Sequence, residues 1–175
     1  MAPGFQSLLS GGDPRSLGRV DEVITTVLDD PGSCRELLDC LYGEDEIVRM
    51  RAADGLEKVA ATQPGIVEPF LPELLGPVAR IDQPSVKWHL AQIFGEVELG
   101  EADRQRATEL VEGYLEDSRD WIVITCSMTT LTGFAASDAE LRERLVPVLR
   151  LHLDSDRKAI AKRASKMLAE LGETS

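Results

Sequence analysis

Two histidines, three cysteines and two tryptophans are the side chains here best suited to metal binding, nucleophilic attack or ligand anchoring. Their spacing argues against the first two. His89 and His152 are far apart, and neither has a cysteine, histidine or carboxylate at a clear ligand spacing along the chain, so no metal site is expected. His89, beside Trp88, reads as a half-exposed helix residue. Cys34, Cys40 and Cys126 cannot all pair within the chain and set up no metal-finger spacing, which reads as a reduced, cytoplasmic protein. Cys34 follows Ser33 at an expected helix start, a position that would lower its thiol pKa slightly. There is no glycine-rich phosphate loop, nucleophile elbow or metalloprotease helix. Carboxylate pairs are frequent only because 31 Asp+Glu face 19 Lys+Arg. No catalytic residue and no cofactor is expected, and the chain reads as a non-enzyme.

A formal charge of -12 opposes a nonspecific grip on phosphate, and 5% aromatic residues make a sparse stacking platform, so nucleic acid is not the expected partner. No stretch approaches the roughly eighteen apolar residues of a membrane span, and the first residues lack the pattern of a signal peptide. The 175 residues suit one domain or one compact repeat array. Residues 1–16, rich in Gly, Pro and Ser, read as a flexible leader with a short helical turn at Phe5 to Leu9. Residues 17–172 read as a single repeat domain, and 173–175 as a tail.

From Leu17 on, the apolar period is helical almost everywhere. Leu17, Val20, Val23, Ile24, Val27 and Leu28 recur at three and four and predict a leading helix, which Asp29-Asp30-Pro31-Gly32 ends. Ser33 with Glu36, and Ser137 with Glu140, have the spacing of capping boxes. A helix is expected from about Asp45 to Ala61. Pro69, Pro72 and Pro77 should make the next one start late, bend or divide. Another starts near Pro84, with proline tolerated in the first turn. Further breaks are expected near Leu99-Gly100, Asp117 to Arg119, Ala136-Ser137 and Asp154-Ser155. The β-branched runs at Val23–Val27 and Trp121–Thr125 sit inside longer helical patterns, so an all-α chain is predicted.

A repeat organises these helices. Leu56, Phe94, Leu131 and Leu168 are 38, 37 and 37 residues apart, and eight residues before each stands Val48, Val86, Val123 or Ile160. Four residues after those come Ala52, Leu90, Ser127 and Ala164, so each set traces one helix stripe. A period near 37 holds two antiparallel helices, which bury their apolar faces only by stacking on neighbours. The sets Ile47-Val48-Arg49/Ala52-Ala53/Leu56 and Ser85-Val86-Lys87/Leu90-Ala91/Phe94 resemble the second-helix signature of HEAT repeats, with weaker copies at Trp121–Leu131 and Ala159–Leu168. The resemblance covers about residues 33–172. It implies an all-α superhelix, or α-solenoid, of about four helix pairs plus a leading helix. It also implies turn ties such as Glu44 with Arg49 and Asp82 with Lys87; Ile124 and Ala161 depart from that pattern.

The resemblance further implies that second helices line a concave face used as a protein-binding scaffold. Carried through the repeat, the phase opposite the core stripe gives three rows. They are Met50, Trp88, Thr125 and Lys162; then Asp54, Gln92, Thr129 and Lys166; then Glu57, Gly95, Thr132 and Ala169. These rows are the candidate contact surface for a protein or peptide. Trp88 suits an anchor, and equally suits filling a gap between repeats, while Trp121 is expected to pack on the turn before it. Two catalytic readings follow from resemblance alone. HEAT-like DNA-alkylation-repair glycosylases would employ Trp88, Trp121 and Asp54 or Asp120. Partner-dependent lyase subunits that attach bilins are the other.

Overall fold

A computed structural model describes residues 4–13 and 15–173. The parts of the expected leader and tail at residues 1–3, 14 and 174–175 lie outside the described residues. The described chain is all helical and shows no strand, in a solenoid-like arrangement of helix pairs. It divides into two compact units, residues 1–99 and 100–175.

In the first unit, α1 (Phe5–Leu9), α2 (Val20–Asp29), α3 (Cys34–Asp39) and α6 (Pro84–Glu96) all pack on α4 (Glu46–Thr62). Asp45 opens α4 as its N-cap, accepting from the backbone N–H groups of Ile47 and Val48. Surrounded on several sides, α4 buries Val48, Ala52 and Leu56 as expected, and also Arg51, Asp54, Glu57 and Val59. The proline-rich stretch divides as expected: short 3-10 turns flank a four-residue α5 (Leu71–Leu74). Pro84 occupies the first turn of α6.

Several local expectations fail for identifiable reasons. The leading helix starts at Val20 rather than Leu17, because Gly18 takes φ +61 and turns the chain, leaving Leu17 49% exposed. Ser33 makes no side-chain cap; Glu36 instead accepts the backbone N–H of Phe5 at 2.7 Å. Arg49 donates to the carbonyls of Gly43 and Glu44 and to Gln83 Oε1, not to the Glu44 carboxylate. The Cys34 thiol is pushed up to about 11 by burial, against the slight lowering expected of a helix start. The other turn tie forms, with Lys87 Nζ 2.6 Å from Asp82 Oδ1.

Arg51 has no counterpart in the expectations. It is fully buried, and its guanidinium donates to the carbonyls of Leu9, Gly11, Asp13 and Ser16, two of the bonds going to Ser16, at 2.7–3.0 Å. All five N–H donors of an arginine are thereby used. The segment read as a loose leader is held by this cradle, with Phe5 and Leu9 buried beneath it. A Cβ on Gly18 would lie 3.1 Å from the guanidinium carbon.

In the second unit, α7 (Glu101–Asp117), α9 (Ala139–His152) and α10 (Lys158–Glu170) pack on α8 (Trp121–Ala135). Asp120 caps α8 through the N–H groups of Ile122 and Val123. Asp138, not Ser137, caps α9. Among the described residues no helix is long and apolar enough to cross a membrane.

Candidate functional site

Asp54 and Glu57 stand three residues apart on α4, so their carboxylates share one helix face. That face meets α6, which brings His89 to them. One donor atom from each of the three side chains lies within 4.8 Å of the others, and all three residues are buried. His89 Nε2 faces Asp54 Oδ1 at 3.9 Å, too far for a hydrogen bond. Lys58 Nζ holds Glu57 Oε2 at 2.5 Å, from a side chain that is 50% exposed.

Burial sets the protonation of this group. It pushes the Asp54 carboxyl upward, opposed by the Lys58 charge and reinforced by Glu57. It drives His89 down to about 4, with Lys58 adding to the effect. The imidazole is therefore neutral near neutral pH, and its contact with Asp54 is not an ion pair there. His89 Nδ1 has no hydrogen-bond partner among the described residues. Two carboxylates and a neutral imidazole form a mixed oxygen and nitrogen donor set, able to hold a divalent metal or to accept a proton.

His89, read from the sequence as half-exposed and without a partner at ligand spacing, is buried and has two carboxylates close to it. Asp54 and His89 are 35 residues apart, far beyond the spacing of ligands on a single helix. That separation is close to the repeat period, which was the available signal. Beside the cluster, the Trp88 ring lies 5.5 Å from that of His89, centroid to centroid.

The other candidate residues divide by unit. In the first, Met50, Trp88 and Gln92 are half-buried, while Asp54 and Glu57 are buried rather than presented on an open face. In the second, Thr125 is buried and donates its hydroxyl to the Trp121 and Ile122 carbonyls. Thr129 is exposed and accepts from Arg163 at 2.6 Å. Lys162 is exposed, and Lys166 lies 3.7 Å from Glu170. Thr132 is buried. Trp121, expected to pack on its preceding turn, remains 41% exposed, and the Asp120 carboxylate is engaged as a helix cap.

The chain matches no protein-family model and no curated protein. Solved structures do resemble it. The complex of CpcE and CpcF of phycocyanin lyase from Nostoc is similar with a TM-score of 0.67 and 19% identity, over 93% of this chain and 95% of that one. An engineered protein aligns with a TM-score of 0.64 and 17% identity over 95% of this chain and 77% of that one. Computationally designed armadillo repeat proteins for modular peptide recognition give 0.61 and 17%, over 98% and 74%. At these identities the likeness establishes the fold, an all-α repeat solenoid, and not a particular HEAT-repeat protein.

Proposed function

We propose that the chain is a noncatalytic helical-repeat scaffold that binds a protein or peptide, with Trp88 as its anchor in the first unit. The observation that carries this reading is the placement of Trp88: half-buried on α6, one turn from the half-buried Gln92, on a helix packed against the one bearing Met50. A tryptophan held by its surroundings but still reachable loses little side-chain freedom on contact, which is why such residues dominate binding energies. The likeness to designed peptide-recognition proteins of armadillo type supports the same reading.

Charge narrows the partner. Of the chain's 31 acidic and 19 basic side chains, 17 and 8 fall in residues 1–99, leaving 14 and 11 in residues 100–175. A segment that places an apolar side chain against Trp88 and carries basic flanks suits the first unit. In the second unit, Thr129, Lys162 and Lys166 offer a more polar and more basic surface on α8 and α10.

The test is capture from the native host on immobilised full-length chain, followed by titration of whatever protein is recovered. Trp88→Ala should weaken that binding tenfold or more, while Lys166→Glu should act mainly on its rate and salt dependence. Melting is measured alongside. A Trp88→Ala chain that melts far lower, yet whose folded fraction binds normally, would assign Trp88 to the core. Recovery of nucleic acid alone, or bilin transfer by the isolated chain, would replace the scaffold reading.

A further inference from the structure

The group formed by Asp54, Glu57 and His89 lies in the interior of the first unit, between α4 and α6, and the scaffold reading gives it no task. Interior polar groups are ordinarily paired, because an unpaired one forfeits its hydration without compensation. Here the pairing is incomplete. His89 is 7% exposed, its Nδ1 has no partner among the described residues, and its Nε2 points at an Asp54 oxygen beyond hydrogen-bond reach. Asp54 is likewise 7% exposed. Three donor atoms within 4.8 Å of one another, with the buried His89 ring incompletely bonded, are an arrangement a bound cation would complete.

We propose that Asp54, Glu57 and His89 form a binding site for one divalent first-row transition-metal ion, with Lys58 as a removable counter-ion that holds Glu57 when the metal is away. The donor chemistry selects the class of ion. An imidazole nitrogen favours zinc, iron, nickel or cobalt over magnesium and calcium, and three side-chain donors fall short of the six to eight oxygens calcium takes. Metal–ligand bonds of about 2.1 Å place ligand atoms roughly 3 to 3.5 Å apart. The present separations, up to 4.8 Å, are slightly open by comparison. Rotation of Glu57 after release of Lys58 closes that difference. Lys58 is suited to leave, since half of its side chain is already in water.

Metal in this position would clamp α4 to α6 directly behind Trp88. Because the Trp88 and His89 rings are 5.5 Å apart, a paramagnetic ion on His89 quenches the Trp88 emission. Cobalt(II) is therefore the probe, added to the untagged full-length chain carrying Trp121→Phe so that only Trp88 emits. The expected result is a one-to-one complex with visible d–d absorption and quenched fluorescence, titrating together. Asp54→Asn and His89→Gln should each weaken cobalt binding at least a hundredfold, with circular dichroism confirming that both remain helical. Lys58→Met, which removes the charge beside the buried Glu57 and is therefore checked by circular dichroism as well, should tighten it tenfold or more. Failure of the parent chain to bind cobalt at millimolar concentration overturns the proposal. So does equal affinity in the Asp54→Asn and His89→Gln chains. Unchanged affinity in Lys58→Met overturns the counter-ion role.

Discussion

Arg51 shows how much one side chain can organise when all its donors converge. A guanidinium carries five N–H groups in a fixed planar fork, and the five bonds of Arg51 to the 9–16 segment satisfy that fork with carbonyl oxygens alone. Among the described residues no carboxylate bonds to this guanidinium, and the charge is met by backbone dipoles. Lysine, a point charge with three donors, cannot reproduce the pattern. Arg51→Lys and Arg51→Met should therefore both destabilise the chain by about 3 kcal/mol or more, since hydrogen bonds to a charged group are worth roughly 1.5 to 3 kcal/mol each and part of the segment can rehydrate. That corresponds to a melting temperature lowered by roughly 6 to 12 °C, together with new protease cleavage within residues 10–16. Unchanged melting and cleavage would show the cradle to be energetically idle. Nothing in the primary structure marks Arg51 as special, because its partners are carbonyls, which every residue carries. The surroundings of His89 are hidden in the sequence for a different reason: its acidic neighbours arrive from the adjacent repeat.

At the level of helices, the physical rules legible along the chain were those of interruption and period. Proline placement foretold the broken segment around α5, and the 37-residue stripe foretold which faces of α4, α6, α8 and α10 turn inward. Competition between local partners was not legible. Glu36 was spaced to cap its own helix but serves the N–H of Phe5, and Asp138 takes the cap that Ser137 was expected to provide. The same stripe exposes an anomaly in α8. Ser127 is fully buried and its hydroxyl has no partner among the described residues, while alanine occupies the equivalent places at Ala52 and Ala164. Ser127→Ala should stabilise the chain by about 1 kcal/mol, raising the melting temperature by roughly 2 to 4 °C; a drop would mean the hydroxyl is bonded in solution. Between α3 and α5, Arg35 grips Glu73 through two bonds of 2.7 and 2.9 Å, and the Tyr42 hydroxyl donates to the same carboxylate at 2.7 Å. The Arg35 bonds first, then the Tyr42 bond, hold Glu73 below the usual carboxylate range. A group depressed on folding contributes stability above its unfolded pKa and loses it as pH falls through the folded one. The stability gap between the parent chain and Glu73→Gln should therefore be largest near neutral pH and should close in acid. Urea titrations at several pH values would measure it, and a gap that widens in acid would contradict this assignment.

For the molecule as a whole, each unit is built around one central helix, α4 in residues 1–99 and α8 in residues 100–175. Amides in those two helices should be the slowest in their own units to exchange with deuterium, because they open only when the surrounding helices do. Exchange in α8 as rapid as at the ends of α9 would show that the second unit is organised differently. The helical apolar period and the 37-residue repeat were enough to foresee a helical array without a strand, but not its division into two units. The Arg51 cradle also bears on how such a chain comes into being. Ser16 leaves the ribosome 35 residues ahead of the arginine that holds it. At about 5 to 20 residues per second, the amino-terminal arm waits roughly 2 to 7 seconds for its holder to be synthesised. During that interval Phe5 and Leu9 have no α4 to cover them, so this segment is secured well after it has been made. A chaperone that meets the nascent chain would find its opening there.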